Sequence, residues 1–190
     1  MGDPKKQRKK FETPRFPWRT DILQAELRLL GQYGLRNKKE LWHHKTVLSK
    51  FRGIARTILG IPEEEGDKLK VQLLGRLDRL GILPDTAVLD EVLDLGIEDI
   101  LERRLQSRVF QKRMAQSVYQ ARQLITHGHI AIGEKRITSP SYLVLRNEEP
   151  QICYSQSSAL VNPDHPLRRN LATVPQTEDQ EETRAEGARN

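Results

Sequence analysis

Basic and polar side chains are concentrated in residues 103–150, where nine lysines and arginines stand against three glutamates, a net charge of +6. The cations are Arg103, Arg104, Arg108, Lys112, Arg113, Arg122, Lys135, Arg136 and Arg146. The polar groups among them are Gln120, Gln123, His127 and His129. A compact mixed surface of this kind can contact phosphates and 2′-hydroxyl groups together, which favours binding to folded RNA. A solvated basic face is the alternative interpretation.

Two helices are predicted to position these groups. Apolar residues that recur every four positions predict the first helix over residues 97–110; they are Ile97, Leu101, Leu105 and Val109. Ser117 is suited to cap the second, because its hydroxyl can accept a hydrogen bond from a free N–H of the first turn. Gly128 suits the left-handed position after the end of that helix. Its buried side is predicted at Ala121, Leu124 and Ile125.

Short strands are predicted to follow the second helix. Residues 129–132 alternate polar and apolar side chains, residues 133–135 are typical of a turn, and residues 136–137 begin another strand. Residues 142–145 and 151–154 are predicted as two more strands.

The start of the second helix is predicted to bind an RNA phosphate. Arg122 follows Ser117 by just over one turn, and Lys112 and Arg113 reach the same end from the preceding loop. Free N–H groups and the helix dipole favour an anion at such a terminus. In the alternative, Arg122 pairs with a carboxylate of the protein itself, for instance Glu98 or Glu102.

Residues 1–20 are predicted to be a basic arm. Residues 1–19 carry a net charge of +5, and prolines at positions 4, 14 and 17 forbid a continuous helix. Phe11, Phe16 and Trp18 argue against a disordered solubilising tail, which is the alternative, because such tails contain few aromatic residues. We expect an extended arm that becomes ordered against RNA, with its rings stacked on bases or wedged against the body.

Residues 21–102 are predicted to form a helical body. Thr20 is the expected N-cap of a helix over residues 21–33, which ends at Gly34. Asn37 is expected to cap a longer helix, with Glu40 in capping-box position. Trp42, in this helix, is interpreted as a core residue, with stacking on a base as the alternative. The buried stripe of this helix is predicted at Leu41, Leu48, Phe51, Ala55, Ile58 and Leu59. Residues 21–60 carry a net charge of +5.

Residues 61–102 reverse the sign of the charge, with a balance of −8. Leu69, Leu73, Leu77 and Leu80 predict a helix that ends at Gly81. Because its carboxylates would be repelled by phosphates, we expect this segment to face away from RNA, either as the outward side of the protein or as a docking surface for basic neighbouring proteins. Residues 159–173 are predicted to be an extended strap, and residues 174–190 a disordered acidic tail.

The sequence offers little for catalysis or for cofactor binding. Cys153 is the only cysteine, so an internal disulfide and a cysteine-based zinc site are excluded. We therefore predict no metal ligands, no catalytic residues and no cofactor. No apolar run is long enough to span a bilayer and no secretory signal is found, so we expect no membrane. The absence of an internal disulfide fits a reducing compartment.

The segment SVYQARQLITHGHIAIGEKRITSPSYLV resembles the S-four RNA-binding module in its QARQLI-x-HGHI core, the turn that follows and the PSY step. Three more segments resemble the archaeal and eukaryotic branch of the S-four family of small-subunit ribosomal proteins. They are MGDPKKQRKKFETPRFPW, YGLRNKKELW and ERRLQSRVFQKRMAQS. The resemblance covers nearly everything from Met1 to about Leu171.

The predicted fold is α+β, with a mainly helical N-terminal body and a small S-four-like module of two helices on a short, mostly antiparallel sheet. The predicted divisions are an arm (1–20), the body (21–102), the module (103–158), a strap (159–173) and a tail (174–190). The candidate RNA-binding residues of the arm are Lys5, Lys6, Arg8, Lys9, Lys10, Arg15, Trp18 and Arg19. Those of the body are Lys38, Lys39, Lys45, Arg52 and Arg56. Those of the module are Arg104, Arg108, Lys112, Arg113, Ser117, Gln120, Arg122, Gln123, His127, His129, Lys135 and Arg136.

The resemblance implies a structural protein, not an enzyme, that binds small-subunit ribosomal RNA early in assembly and organises its five-prime domain. It also implies contact with neighbouring small-subunit proteins and a place near the channel through which messenger RNA enters. Two alternatives share the module, a ribosome-biogenesis factor and an RNA-modifying enzyme such as a pseudouridine synthase. The almost wholly helical first 102 residues leave no room for the catalytic domain of such an enzyme.

Truncation at about Val174 tests the acidic tail. The removed segment is acidic, unpatterned and without aromatic residues. We expect the affinity for RNA to stay the same, or to rise slightly because repulsion is removed. Affinity for a junction-containing RNA measures this, and a tenfold loss would contradict it.

Overall fold

The structure is a computed structural model that describes residues 9–84 and 86–172, without the side chains of residues 63–65 and 170–172. Lys5, Lys6 and Arg8 of the predicted arm and the predicted disordered tail, 174–190, lie outside the described residues.

The N-terminal half is helical, as predicted. It contains α1 (Thr20–Gln32), α2 (Lys38–Leu59), α3 (Glu63–Arg79) and α4 (Leu89–Asp94). The expectation that Thr20 caps α1 was wrong, because the helix already includes Thr20 and Arg19 holds the cap position without a side-chain hydrogen bond. Gly34, with φ +57°, turns the chain after α1, and Gly81, with φ +66°, does so after α3.

Helix α2 is the longest element and supports the body. The Asn37 side chain accepts a hydrogen bond from the Glu40 amide at 3.1 Å, so the predicted cap is confirmed. The predicted stripe is buried except for Leu59, which is 54% exposed because it is the last residue of α2, where the chain turns away toward α3. Trp42 is half-buried and donates from Nε1 to Glu26 at 3.0 Å.

The single helix predicted over residues 97–110 is two helices, α5 (Ile97–Glu102) and α6 (Leu105–Gln111). The break arises because Arg104 is extended, with ψ 143°, and pairs with Leu143 in an isolated antiparallel bridge. The Leu105 amide donates to the Tyr142 carbonyl at 2.7 Å, and the Val144 amide donates to the Arg103 carbonyl at 2.9 Å. The strand predicted at 142–145 is reduced to this one bridge.

The rest of the module matches its prediction closely. Helix α7 (Val118–Thr126) is capped by Ser117, which accepts from the Gln120 amide, and Gly128 follows it with φ +78°. A three-stranded antiparallel sheet has the order β2–β1–β3, formed by β1 (Ile130–Ile132), β2 (Lys135–Arg136) and β3 (Ile152–Tyr154). The α+β fold class is confirmed.

Two of the hydrophobic cores correspond to the module and the body. Leu105, Val109, Ala121, Ile125 and Ile130 lie fully buried in the core that joins α6, α7 and the sheet. Another core joins α2, α3, α4 and α5, and Leu143 of the module packs against it. The exact division into domains stays a prediction.

The extended strap predicted at 159–173 is wrong in its conformation. Ala159–Val161 is a turn of 3₁₀ helix, and Pro166–Ala172 is α8. Proline suits the first turn of a helix, because its missing N–H would have no intrahelical partner there. Arg168 donates to the carbonyls of Leu160 and Val161 and lies 5.2 Å from the centre of the Tyr154 ring, which fixes the segment on the module.

His44, on α2, gives the stability a predicted pH dependence. The side chain is 3% exposed, and burial, helped by the charge of Arg104, lowers its pKa to about 4. The unfolded chain takes up this proton at its ordinary pKa of 6.5 and the folded chain does not, so the free energy of unfolding falls as the pH drops from 6.5 to about 4. The loss is roughly 3 kcal/mol.

Denaturant unfolding at several pH values measures this slope. His44→Gln is expected to flatten the slope between pH 6.5 and 4.5, whereas His43→Gln, on the neighbouring residue, keeps it. The lowered pKa values of Glu26 and Glu40 reduce stability mainly below pH 4.5, where the unfolded chain takes up protons that the folded carboxylates do not. Equal slopes in all three proteins would contradict the assignment to His44.

Candidate nucleic-acid interface

The body and the module are joined by one carboxylate between two guanidinium groups. Glu40, in the first turn of α2, accepts from Arg104 at 2.9 Å and from Arg122 at 2.7 and 3.2 Å. Arg104 is fully buried, and Glu40 and Arg122 expose about a fifth of their side chains. Glu40 therefore leaves the second half of the predicted capping box unmade and instead binds the two arginines of the module.

Neighbouring amide groups extend this contact between body and module. Gln106 donates from Nε2 to the carbonyls of Gly34 and Val118, each at 3.0 Å. A Cβ at Gly34 would lie 2.9 Å from that Nε2, so the left-handed turn and the close approach both require glycine there. Burial alone would raise the pKa of Glu40, but the hydrogen bonds and charges of Arg122 and Arg104 bring it below its ordinary value.

Two of the predicted RNA-binding residues are therefore corrected. Arg104 cannot contact RNA because it is 0% exposed. Arg122 is held by Glu40, so the alternative interpretation, in which it pairs with a carboxylate of the protein itself, is confirmed, although Glu40 is neither of the partners considered from the sequence. Sequence reasoning missed Glu40, because its position after Asn37 fits a capping box equally well.

A second ion-pair cluster uses further cations of the module. Glu149 contacts Arg103 at 2.8 Å and Arg108 at 3.2 Å, and Lys112 donates to its carbonyl. Arg108 exposes only a fifth of its side chain, and its Nη1 lies between Glu149 and the Gln111 side chain, to which it donates at 3.0 Å. Burial alone would raise the pKa of Glu149, but these cations lower it by more, so the pKa lies below its ordinary value.

A shallow groove brings four of the predicted site residues together. Gln120, Gln123, His127 and His129 line a cavity of about 350 Å³ between α7 and the segment around α8. The rings of His127 and His129 are stacked at 6.4 Å, and His129 lies 2.8 Å from the Ser158 hydroxyl. His165 completes the lining, and sequence reasoning missed it because the segment was taken as extended.

The described part of the arm lies against α2. The Glu12 amide donates to Thr46 at 3.0 Å, the Lys10 carbonyl lies 3.2 Å from a ring nitrogen of His43, and Phe11 packs 6.1 Å from Trp42. Trp18 is 85% exposed. Phe11 thus wedges against the body while Trp18 stays accessible.

The cations of α2 divide into paired and exposed groups. Lys38 and Lys45 contact the buried carboxylate of Glu26 at 3.3 and 3.0 Å, and Arg52 donates to the Leu95 carbonyl. Lys39 and Arg56 remain exposed. The exposed members of the predicted set with described side chains are Lys9, Lys10, Arg15, Trp18, Arg19, Lys39, Arg56, Lys112, Arg113, Ser117, Gln123, His127, Lys135 and Arg136.

The described residues contain neither a candidate metal site nor a candidate membrane-spanning helix. Across 9–84 and 86–172, no group of three or more histidine, cysteine, aspartate or glutamate side chains could hold a metal ion. Within the same ranges, no helix combines the length and the apolar character that crossing a membrane requires.

The family model described as the S4 domain matches residues 103–149, which form the module. Together with the α+β fold, this match places the chain among proteins that contain an S4 domain. Small ribosomal subunit protein uS4 of Hyperthermus butylicus is 51% identical over 158 residues, or 83% of this chain and 90% of that protein. The protein of the same name from Picrophilus torridus is 45% identical over 95% of this chain and its own whole length. That of Ignicoccus hospitalis is 49% identical over 83% of this chain and 95% of its own. The chain belongs to the uS4 family of small ribosomal subunit proteins.

Replacing Glu40 with glutamine tests the junction between body and module. We expect the free energy of unfolding to fall by about 3 kcal/mol, because two guanidinium groups, one fully buried, lose their counter-charge. Glu98→Gln removes the same charge from an exposed position and is expected to cost less than about 0.5 kcal/mol. Urea unfolding measures both, and equal small losses would contradict the role of Glu40.

Proposed function

We propose that this chain is a structural protein of the small ribosomal subunit that binds ribosomal RNA through the exposed cations of the arm, α2 and the module. The observation that carries the proposal is the 45% identity to a uS4 protein over 95% of the chain. The S4 domain supplies the RNA-binding module, and the chain is not an enzyme. An RNA-modifying enzyme is disfavoured because the relatives that match 83–95% of this chain are small ribosomal subunit proteins.

The exposed cations are proposed to contact RNA phosphates, and the histidine-lined groove to receive an unstacked base. Phosphate contacts supply most of the affinity, whereas bases in loops and bulges are recognised by stacking and hydrogen bonds. Residues 1–20, 21–102 and 103–158 are proposed to act as arm, body and module around an RNA junction. Trp18 is available for stacking at the edge of this surface.

The finer proposals follow from family membership. The chain binds early in assembly, organises the five-prime domain of the RNA and lies beside other small-subunit proteins. Its place is near the channel through which messenger RNA enters, on a ribosome in the cytoplasm. These statements are supported by the resemblance of the whole chain to the family.

Arg113 is the side chain most sharply singled out for an RNA contact. It has φ 55°, and it follows the C-cap of α6, where glycine is usual. A left-handed conformation costs a non-glycine residue about 1–2 kcal/mol. The exposed arginine therefore occupies a position that glycine would fill more stably, which supports a role outside the fold.

Arg113→Gly is predicted to separate stability from RNA binding. The free energy of unfolding should rise by up to about 1 kcal/mol because the backbone strain is relieved. Affinity for a junction-containing RNA should fall about tenfold, as expected for one lost charge-assisted hydrogen bond. Arg113→Lys keeps the charge and the strain, and should retain most of the affinity. Unchanged RNA binding in Arg113→Gly would remove Arg113 from the interface.

Salt titration and ribosome fractionation test the proposed function as a whole. The logarithm of the RNA affinity should fall linearly with the logarithm of the salt concentration, with a slope of about −0.9 for each phosphate contact. In native extracts, the chain should remain with mature small subunits after a high-salt wash. A flat salt response, or release from mature subunits with retention on precursors, would contradict the structural role and favour a biogenesis factor.

A further inference from the structure

A groove of about 960 Å³ lies on the body, between α2 and α3. Both helices line it with residues spaced by three or four positions, such as Lys50, Ile54 and Ile58 on α2 and Leu69, Leu73 and Arg76 on α3. Each helix therefore presents one face to the same space. We call this the α2–α3 groove.

The floor of the groove is aliphatic and partly uncovered. Ile58 and Leu73 are 5% exposed and form its base, whereas Ile54 and Leu69 are each 43% exposed. Gly53 also lines the groove, and a Cβ placed there would meet no heavy atom within 4 Å. Glycine inside a helix is unfavourable relative to other residues, so the open space above Gly53 is kept without any packing need of this chain.

The rim of the groove is basic. Lys50, Arg76 and Arg79 line it, and none of the lining residues is a carboxylate. Arg76 is held over the Phe51 ring at 5.4 Å, and Arg79 donates to the Gly75 carbonyl at 3.1 Å. Arg76 and Arg79 thus give this face positive charge within a segment, residues 61–102, whose overall balance is −8.

The lining chemistry favours a protein occupant over RNA. No aromatic side chain lines the groove, so bases would find no ring on which to stack. Aliphatic side chains that recur along a helix fit an aliphatic floor, and carboxylates beside them fit the three cations. A second copy of this chain is a poorer match, because no feature of the groove is self-complementary.

We propose that the α2–α3 groove binds an amphipathic helix of a neighbouring small-subunit protein, with leucine-like side chains on its inner face and acidic residues beside them. The proposal rests on the proposed place in the small subunit. It differs from one of the two sequence-based expectations for residues 61–102, a docking surface for basic proteins, because the groove face of α3 suits an acidic partner.

The acidic tail of this chain matches only half of that description. Residues 173–190 contain five carboxylates, but no leucine, isoleucine or aromatic residue. They could meet the cations of the rim but not fill the aliphatic floor. Cross-linking distinguishes the two occupants.

A photo-cross-linking residue at position 69, in chains assembled into small subunits, identifies the occupant. Position 71 is the control, since Val71 lies on the same helix, is 70% exposed and does not line the groove. The expected product joins position 69, but not position 71, to a leucine-containing acidic helix of another protein. Cross-links to ribosomal RNA, to the chain's own tail or to a second copy would overturn the proposal, as would equal yields at both positions.

A matched pair of glycine substitutions tests the space itself. Gly53→Met fills the groove, whereas Gly75→Met adds the same side chain to α3 outside the lining, also where a Cβ meets no atom within 4 Å. Both should stabilise the free chain, since both remove a glycine from a helix. Gly53→Met should lower the cross-link from position 69 about tenfold through steric exclusion, and Gly75→Met should leave it unchanged.

A failure of the docking surface can be distinguished from a failure of the proposed function. If the cross-link persists at full yield in Gly53→Met, the docking surface is wrong, while the place in the small subunit stands. If the unmodified chain never enters small subunits, both the proposed function and this inference are overturned.

Discussion

The pairing of Glu40 with Arg104 and Arg122 is the interaction on which the arrangement of this protein depends. One carboxylate from the body meets two guanidinium groups from the module, and one of these is removed from water completely. A buried charge without a partner is strongly unfavourable, so the relative position of body and module that pairs the charge of Arg104 with Glu40 is favoured. The hydrogen bond from the Gln106 amide to the Gly34 carbonyl lies beside this contact and further restricts how the module can be placed against the body.

This ion pair and two others, at Glu26 and Glu149, divide the basic residues into a paired group and an exposed group. Arg103, Arg104, Arg108 and Arg122 bind carboxylates of the protein, as do Lys38 and Lys45 of α2. These pairs hold the scaffold together without contributing fully to a positive surface. The cations that remain exposed, such as Lys39 and Arg113, can then act on a polyanion from fixed positions. The net charge of a segment therefore overstates the charge that its surface offers.

Features set by neighbouring residues could be predicted from the sequence, and features set by distant ones could not. Ser117, Gly128 and the buried side of α7 were predicted correctly, because a cap, a left-handed glycine and a helical stripe are local patterns. The break between α5 and α6 was missed, since it depends on pairing with residues about 40 positions later. Arg104 was assigned to the interface because its sequence carries no sign of burial. The partner of Arg122 could not be predicted because it depends on the fold as a whole. Helix α8 was missed because Pro166 was its only sequence signal for a helix start.

The long sequence separation within the Glu40 cluster sets an order for folding during synthesis. Helices α2 and α3 are joined by three residues, so this hairpin can form as soon as it leaves the ribosome that makes it. The partners of Glu40 follow it by 64 and 82 residues, and Leu143, which pairs with Arg104, is made later still. Until then Glu40 remains hydrated and the body has no fixed module beside it. The completed surface proposed to bind RNA is thus a late product of translation, and we expect tight binding only after most of the chain has been made.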